Sequence, residues 1–300
     1  MAGMSYREFF TSPPCSFLAT ERRPEEADWA VLGVPLDATS TGRPGSRYGP
    51  TAIRMASLAL EVRSLITGSD LGELRVSDLG DLHVSLDVAE TLERLELVAS
   101  EVLKAGLRLA VLGGEHTIAL GVVRGLKEAL ELPKAVILDA HLDLRGEYQG
   151  RRLCHATVVR RLVEELGPDR VAVVGARVCS KEELAFAREA GLAIIGASEV
   201  REGGAGRTVK LLKSLLSLPG PLHLSLDLDV LDPSFAPAVQ TPEPFGLRPE
   251  ELLELVLSLC QHGLVSLDMV ELAPAYDQGQ TALLAARLLA EVMWATSREA

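Results

Sequence analysis

The chain has 300 residues, 47% of them apolar and 24% charged, an ordinary globular composition with ample material for a core. A net charge of −12 argues against nucleic acid and anionic membrane surfaces as partners, and suits a small cationic one. No apolar run approaches a bilayer span, no signal-peptide pattern opens the chain, and four cysteines without CxxC spacing are expected to be free thiols of a cytoplasmic protein. The complete lack of Asn fits a thermophile, whereas the excess of Arg over Lys could reflect a GC-rich genome alone.

In chain order, strands are predicted at 29–34, 74–79, 108–112, 135–139, 170–174, 192–195, 221–229 and 264–271. Helical periodicity lies between most of them, at 51–65, 88–105, 117–130, 156–166, 181–190, 205–218 and 249–262, with a closing helix at 280–296. The stretch Gly203-Gly204-Ala205-Gly206 reads as a loop. Short, continuously apolar strands alternating with helices predict an α/β fold, a three-layer αβα sandwich around a mostly parallel eight-stranded sheet. Without a long linker or a repeat, residues 1–300 read as one domain, with an N-terminal extension at 1–28 and a core at about 29–296.

The seventh strand carries the most information. Leu222, Leu224, Leu226 and Leu228 fall on one face, and His223, Ser225, Asp227 and Asp229 on the other. Two carboxylates on one buried face repel unless a cation lies between them. The same arrangement closes the fourth strand at Asp139, His141 and Asp143. His116 follows the third strand, His155 the loop after the fourth, and Glu271 ends the eighth, so all these groups should meet beyond the carboxyl edge of the sheet. A mixed carboxylate and imidazole set suits Mn²⁺ or a similar six-coordinate ion better than a structural zinc. Six such side chains exceed the needs of one ion and fit two that share bridging carboxylates, an arrangement that activates water for hydrolysis.

The motifs Gly113-Gly114-Glu115-His116, Asp139-Ala140-His141-Leu142-Asp143, Ser225 to Pro233, Thr241-Pro242-Glu243-Pro244 and Asp268 to Asp277 resemble those of the ureohydrolase family of arginases and agmatinases. Arg43 to Pro50 and Ser77 to Asp81 agree, and the resemblance runs in order over about residues 29 to 296. It implies two Mn²⁺ per chain, one held by His116, Asp139, Asp143 and Asp227, the other by His141, Asp139, Asp227 and Asp229. It also implies that the third, eighth, seventh and fourth strands are neighbours, and that the chain assembles as a trimer or hexamer. Glu271 would grip a guanidinium by paired hydrogen bonds, Asp143 would orient the attacking water, and His155 would deliver a proton to the departing amine, releasing urea.

The loop from Leu144 to Ala156 lacks the Asn-rich character of arginases and is similar to the agmatinase branch. Agmatine, with a distal amine that Glu147 could pair, is therefore the expected substrate, and Thr241 sits where the family has a threonine near the substrate. Aminopropylagmatine, arginine and guanidinobutyrate are alternatives, since Arg145, Arg151 or Arg152 could instead grip a carboxylate. Gln240 and Phe245 stand where many relatives have glycine, near the expected pocket mouth. A single-metal deacetylase and a non-catalytic relative are readings from other classes; the second imidazole opposes the former, and the filled ligand positions with Glu271 oppose the latter. Duller roles are open at several residues. Asp232 reads as a turn former, His223 as a satisfied core histidine, His83 and His262 as surface groups. Glu115 is either an acid supporting the site or a solvated helix-start residue, and Asp78 and Asp81 either flank the site or cap a loop.

Overall fold

The structure is a computed structural model that describes residues 6, 10–12 and 15–297. Part of the predicted extension at 1–28 therefore lies outside the described residues, as do 298–300. The strands are β1 (Thr11–Ser12), β2 (Trp29–Val34), β3 (Val76–Leu82), β4 (Arg108–Gly113), β5 (Lys134–Leu138), β6 (Val171–Ala176), β7 (Ala193–Gly196), β8 (Leu222–Asp227) and β9 (Leu264–Val270). They form one sheet in the order β1-β3-β2-β4-β9-β8-β5-β6-β7. Only the two-residue β1 pairs antiparallel; the other eight strands are parallel. Every residue of β2, β5 and β8 is buried, which is why β2 and β5 read as nearly continuous apolar runs, whereas β8 keeps a buried polar face of His223, Ser225 and Asp227.

Helices cover both faces. Those named α2 (Val88–Lys104), α3 (Ala119–Leu130), α4 (Val158–Leu166) and α5 (Lys181–Ala190) share one apolar core with the sheet. On the other face lie α1 (Gly49–Ser57), α6 (Ala197–Leu211), α7 (Lys213–Leu216), α8 (Pro249–Cys260) and α9 (Gln280–Ser297). The result is the αβα sandwich that the strand and helix alternation implies.

Among the departures from the periodicity, three bear on the site and its surroundings. The seventh predicted strand stops at Asp227, because its side chain accepts the Asp229 N–H (2.8 Å) and turns 228–230 into a short 3₁₀ segment. The first helix ends at Ser57 rather than 65. The glycine-rich stretch expected as a loop lies within α6, where two helical segments meet at Gly204, whose φ of 68° only glycine adopts freely.

The order β4-β9-β8-β5 sets the third, eighth, seventh and fourth predicted strands side by side. Sequence order reverses there, and such a switch point opens a crevice beyond the strand ends.

Candidate metal centre and substrate cavity

Each site residue is held by the turn that follows its strand. After β4, Gly113-Gly114 bring the chain against Leu36; a Cβ at Gly114 would lie 1.8 Å from the Leu36 carbonyl oxygen, which instead accepts the Glu115 N–H (2.8 Å). His116 then opens a 3₁₀ turn leading into α3. After β5, Asp139 Oδ1 accepts the His141 N–H (2.6 Å), and Asp143 adopts a left-handed φ of 49°. Beyond β9, Glu271 is left-handed as well, at φ 68°, with its N–H donating to the Gly114 carbonyl (2.8 Å). Left-handed backbone is uncommon for residues other than glycine and gathers at functional sites.

Two ligand groups result. His116 Nδ1 lies 3.1 Å from Asp139 Oδ2, 3.3 Å from Asp143 Oδ2 and 3.4 Å from Asp227 Oδ2. His141 Nδ1 lies 3.4 Å from Asp139 Oδ1 and 3.0 Å from Asp229 Oδ2. Asp139 thus gives one oxygen to each group. Asp227 sits with the first, its other oxygen taking the Asp229 N–H.

The atoms fit a metal. His116 Nδ1 and Asp139 Oδ2 are buried and face one another, yet neither makes a hydrogen bond. Both groups place nitrogen and carboxylate oxygens within 4.8 Å of one another, close enough to coordinate an ion. The far side of His116 explains the free Nδ1. Ser225 Oγ donates to Asp268 Oδ1 (2.6 Å), so it accepts from His116 Nε2–H (3.0 Å) and leaves Nδ1 as the bare lone pair. Asp268 Oδ2 pairs with His223 Nε2 (3.0 Å), whose Nδ1 meets Ser266 Oγ (2.9 Å); His223 is a satisfied core histidine.

Without ions, the site holds protons. Burial first, then the charge of Asp139, pushes the Asp143 carboxyl up to about 7. Asp227 is driven well above the carboxylate range by burial and by Asp229 and Asp139, and Glu271 by burial above all. Burial works against a charged His116 and His141, but the surrounding carboxylates overcome it and raise both. Protons on these acids and imidazoles offset the crowded carboxylates, and bound cations would take the place of those protons and leave His116 Nδ1 bare.

Beside this centre lies a cavity of about 360 Å³, lined by His141, Asp143, Asp227, Asp229 and Glu271, and also by Thr41, Arg145, Tyr148, His155, Glu183 and Thr241. Glu271 Oε1 accepts the His116 N–H (2.6 Å). His155 stands between two threonines, with Thr39 Oγ1 3.3 Å from Nδ1 and Thr41 Oγ1 3.3 Å from Nε2. Burial lowers its pKa, opposed in part by the Glu115 charge.

A match to the Arginase family model covers residues 27–295. The chain belongs to the arginase family. It is 39% identical to the N(1)-aminopropylagmatine ureohydrolase of Thermococcus kodakarensis, over 89% of this chain and 90% of that one. It is 34% identical to the agmatinase of Bacillus subtilis, over 92% and 94%. In three dimensions it is similar to the agmatine ureohydrolase of Thermoplasma volcanium, with a TM-score of 0.86 and 36% identity over 93% and 92%.

In this arginase-family chain, the cavity gathers most of the predicted site residues but not Glu147, which is exposed and does not line it. The acid that does is Glu183, from α5, held by the N–H groups of Ser180 (2.8 Å) and Leu144 (3.1 Å). Of the loop arginines only Arg145 lines the cavity, over the Tyr148 ring (5.1 Å) and 3.9 Å from Glu183. Asp78 and Asp81 are away from the cavity and bind the buried Arg54, at 2.8 and 2.5 Å. Asp232 is a turn former, accepting from Ser234 N–H (3.0 Å) and Gly246 N–H (3.1 Å). Glu183 escaped the sequence reading because Ser180-x-x-Glu183 is also an ordinary helix capping box.

Proposed function

We propose that the chain is a two-manganese ureohydrolase of the agmatinase type, cleaving the guanidinium of agmatine or a close derivative to urea and an amine. One observation carries the reading: two His/Asp groups joined through Asp139 open onto an acidic cavity that Glu271 also lines. His116, Asp139, Asp143 and Asp227 would hold one ion and His141, Asp139, Asp227 and Asp229 the other. When bound, the ions supply Lewis-acid charge and a water activated near neutral pH. Glu271, its Oε1 fixed by the His116 N–H, binds the planar guanidinium fork at the cavity floor. Asp143 accepts a hydrogen bond from the attacking water and aims it at the guanidinium carbon. The water oxygen becomes the urea carbonyl, the carbon–nitrogen bond to the alkyl chain breaks, and the amine leaves with the water's two protons. His155 hands over one of them. Thr241, at the cavity wall, contacts the substrate.

Glu183 takes the role first assigned to Glu147, receiving the distal amine. Arg145 favours a second reading, a guanidino acid whose carboxylate it would bind; its proximity to Glu183 weighs toward the amine. The same proposal takes the chain as one functional unit, assembled as a homo-oligomer on the strength of the family resemblance. A cytoplasmic setting is supported by four cysteines that are all free thiols. No described helix is long and apolar enough to cross a membrane.

The test is urea release by Mn²⁺-loaded protein given agmatine, aminopropylagmatine, arginine and guanidinobutyrate side by side. Urea from either of the first two, with arginine near background, is expected. Preference for arginine or guanidinobutyrate would move the assignment to Arg145, and no urea from any would end the guanidine reading.

A further inference from the structure

His155 is held by a hydrogen-bond chain outside the cavity lining. Glu115 is fully buried and receives four donors. Its Oε2 accepts the backbone N–H of Ala38 (2.7 Å) and Thr39 (2.6 Å), and its Oε1 accepts the hydroxyls of Thr39 (2.6 Å) and Thr117 (2.6 Å). A hydroxyl has one hydrogen and two lone pairs. The Thr39 hydrogen is committed to Glu115, so toward His155 the Thr39 Oγ1 can only accept. The two groups placed to donate are the His155 backbone N–H (3.2 Å) and His155 Nδ1 (3.3 Å). Nδ1 therefore carries the ring hydrogen, and Nε2 presents its lone pair toward Thr41 at the cavity wall.

We infer that Glu115 and Thr39 are positioning residues that fix the tautomer of His155, setting Nδ1 as the permanent donor and Nε2 as the atom that takes up and returns the proton. The inference deepens the ureohydrolase reading and rests on it for the role of His155. Neither residue touches the substrate. Glu115 carries its effect through one hydroxyl, and Gly114 holds it in place, because the close approach to Leu36 brings 36–39 over the Glu115 side chain.

Exchange of one atom should reverse the chain. In Glu115→Gln the amide oxygen must stay with the two backbone N–H groups, which leaves the NH₂ facing the hydroxyls. Thr39 then accepts from the new amide and donates to His155 Nδ1, so the ring hydrogen moves to Nε2. Thr39→Val removes the acceptor and frees the ring to take either form, whereas Thr39→Ser keeps it.

The deciding measurement is ¹⁵N NMR of the full chain labelled at histidine, loaded with diamagnetic Mg²⁺, with the His155 signals assigned by their loss in His155→Asn. The wild type and Thr39→Ser should show protonated Nδ1 and bare Nε2, and Glu115→Gln the reverse. With Mn²⁺, kcat for urea release should fall on the order of 10²–10³-fold in Thr39→Val and Glu115→Gln, within the range for losing general acid–base assistance. KM should hold, and Thr39→Ser should keep most of the rate. Should Glu115→Gln fail to fold, the Val and Ser variants at Thr39 decide alone. A wild-type ring protonated at Nε2, or a kcat untouched in Thr39→Val, overturns the inference. The tautomer is read without substrate. A correct tautomer in a protein that releases no urea would keep the relay and sink the ureohydrolase reading, while an active enzyme with the wrong tautomer would do the opposite.

Discussion

Two imidazoles of this molecule are served by the same device and turned to different ends. On the β8–β9 side, Asp268 takes the hydroxyl hydrogen of Ser225, and Ser225 accepts from His116 Nε2. On the loop side, Glu115 takes the hydroxyl hydrogen of Thr39, and Thr39 accepts from His155 Nδ1. A buried carboxylate anchors a hydroxyl, and the hydroxyl dictates which ring nitrogen stays bare. What differs is what the bare nitrogen faces. His116 Nδ1 faces Asp139, Asp143 and Asp227, whereas His155 Nε2 faces the exposed Thr41. Identical chemistry behind the ring thus leaves a bare nitrogen on each histidine, in the proposed mechanism a metal ligand on His116 and a proton carrier on His155.

The largest effect should come from Asp139→Asn, which blunts the carboxylate that both groups use. Urea release should drop to background and metal content, read by atomic absorption, should fall at both positions. If the Asp139→Asn protein kept one ion at full occupancy, Asp139 would not join the two groups. Next come the two relays. Asp268→Asn and Ser225→Ala should weaken metal binding roughly 10–100-fold, the usual cost of removing a partner behind a ligand. Saturating Mn²⁺ should restore most of their kcat, and no amount of metal should restore Thr39→Val. Equal rescue of both would erase the distinction.

The pH dependence follows from the raised carboxyls. Asp143, pushed up to about 7, is protonated below that pH in the ion-free chain, and Asp227 is raised in the same direction by burial and by its acidic neighbours. An incoming cation must displace those protons, so apparent affinity should strengthen as pH rises and fall roughly tenfold per unit below about pH 7 for each proton displaced. Calorimetry in buffers of different ionisation enthalpy would count the protons. Smallest of all is Glu147→Gln, an exposed change outside the cavity, expected to shift kcat/KM for agmatine by less than about twofold. Glu183→Gln should raise KM for agmatine while sparing a substrate without a distal amine.

The sheet and the acidic strand ends were legible because both rest on local rules. Eight apolar runs with helices between them imply parallel strands, and two aspartates, Asp227 and Asp229, crowded at one buried strand end imply a cation. Neighbouring of β4, β9, β8 and β5 came only from the family resemblance, since long-range strand order leaves no mark in periodicity. Thr39 gave no signal at all. It lies in an irregular segment, and its importance comes from contact with Glu115 and His155, 76 and 116 residues away. Glu147 stands in the loop the sequence pointed to but outside the cavity lining, and the additional acid at the cavity beyond the metal groups and Glu271 is Glu183 of α5. Residues whose roles follow from their neighbours in sequence could be found there; those whose roles follow from neighbours in space could not.

The most direct test of the two-ion hydrolase is a Mn²⁺ titration of metal-free protein followed by calorimetry and by urea release from agmatine in the same samples. Two ions per chain are predicted, with urea appearing only as the second position fills. Full activity at one ion per chain would contradict a centre built on a shared Asp139.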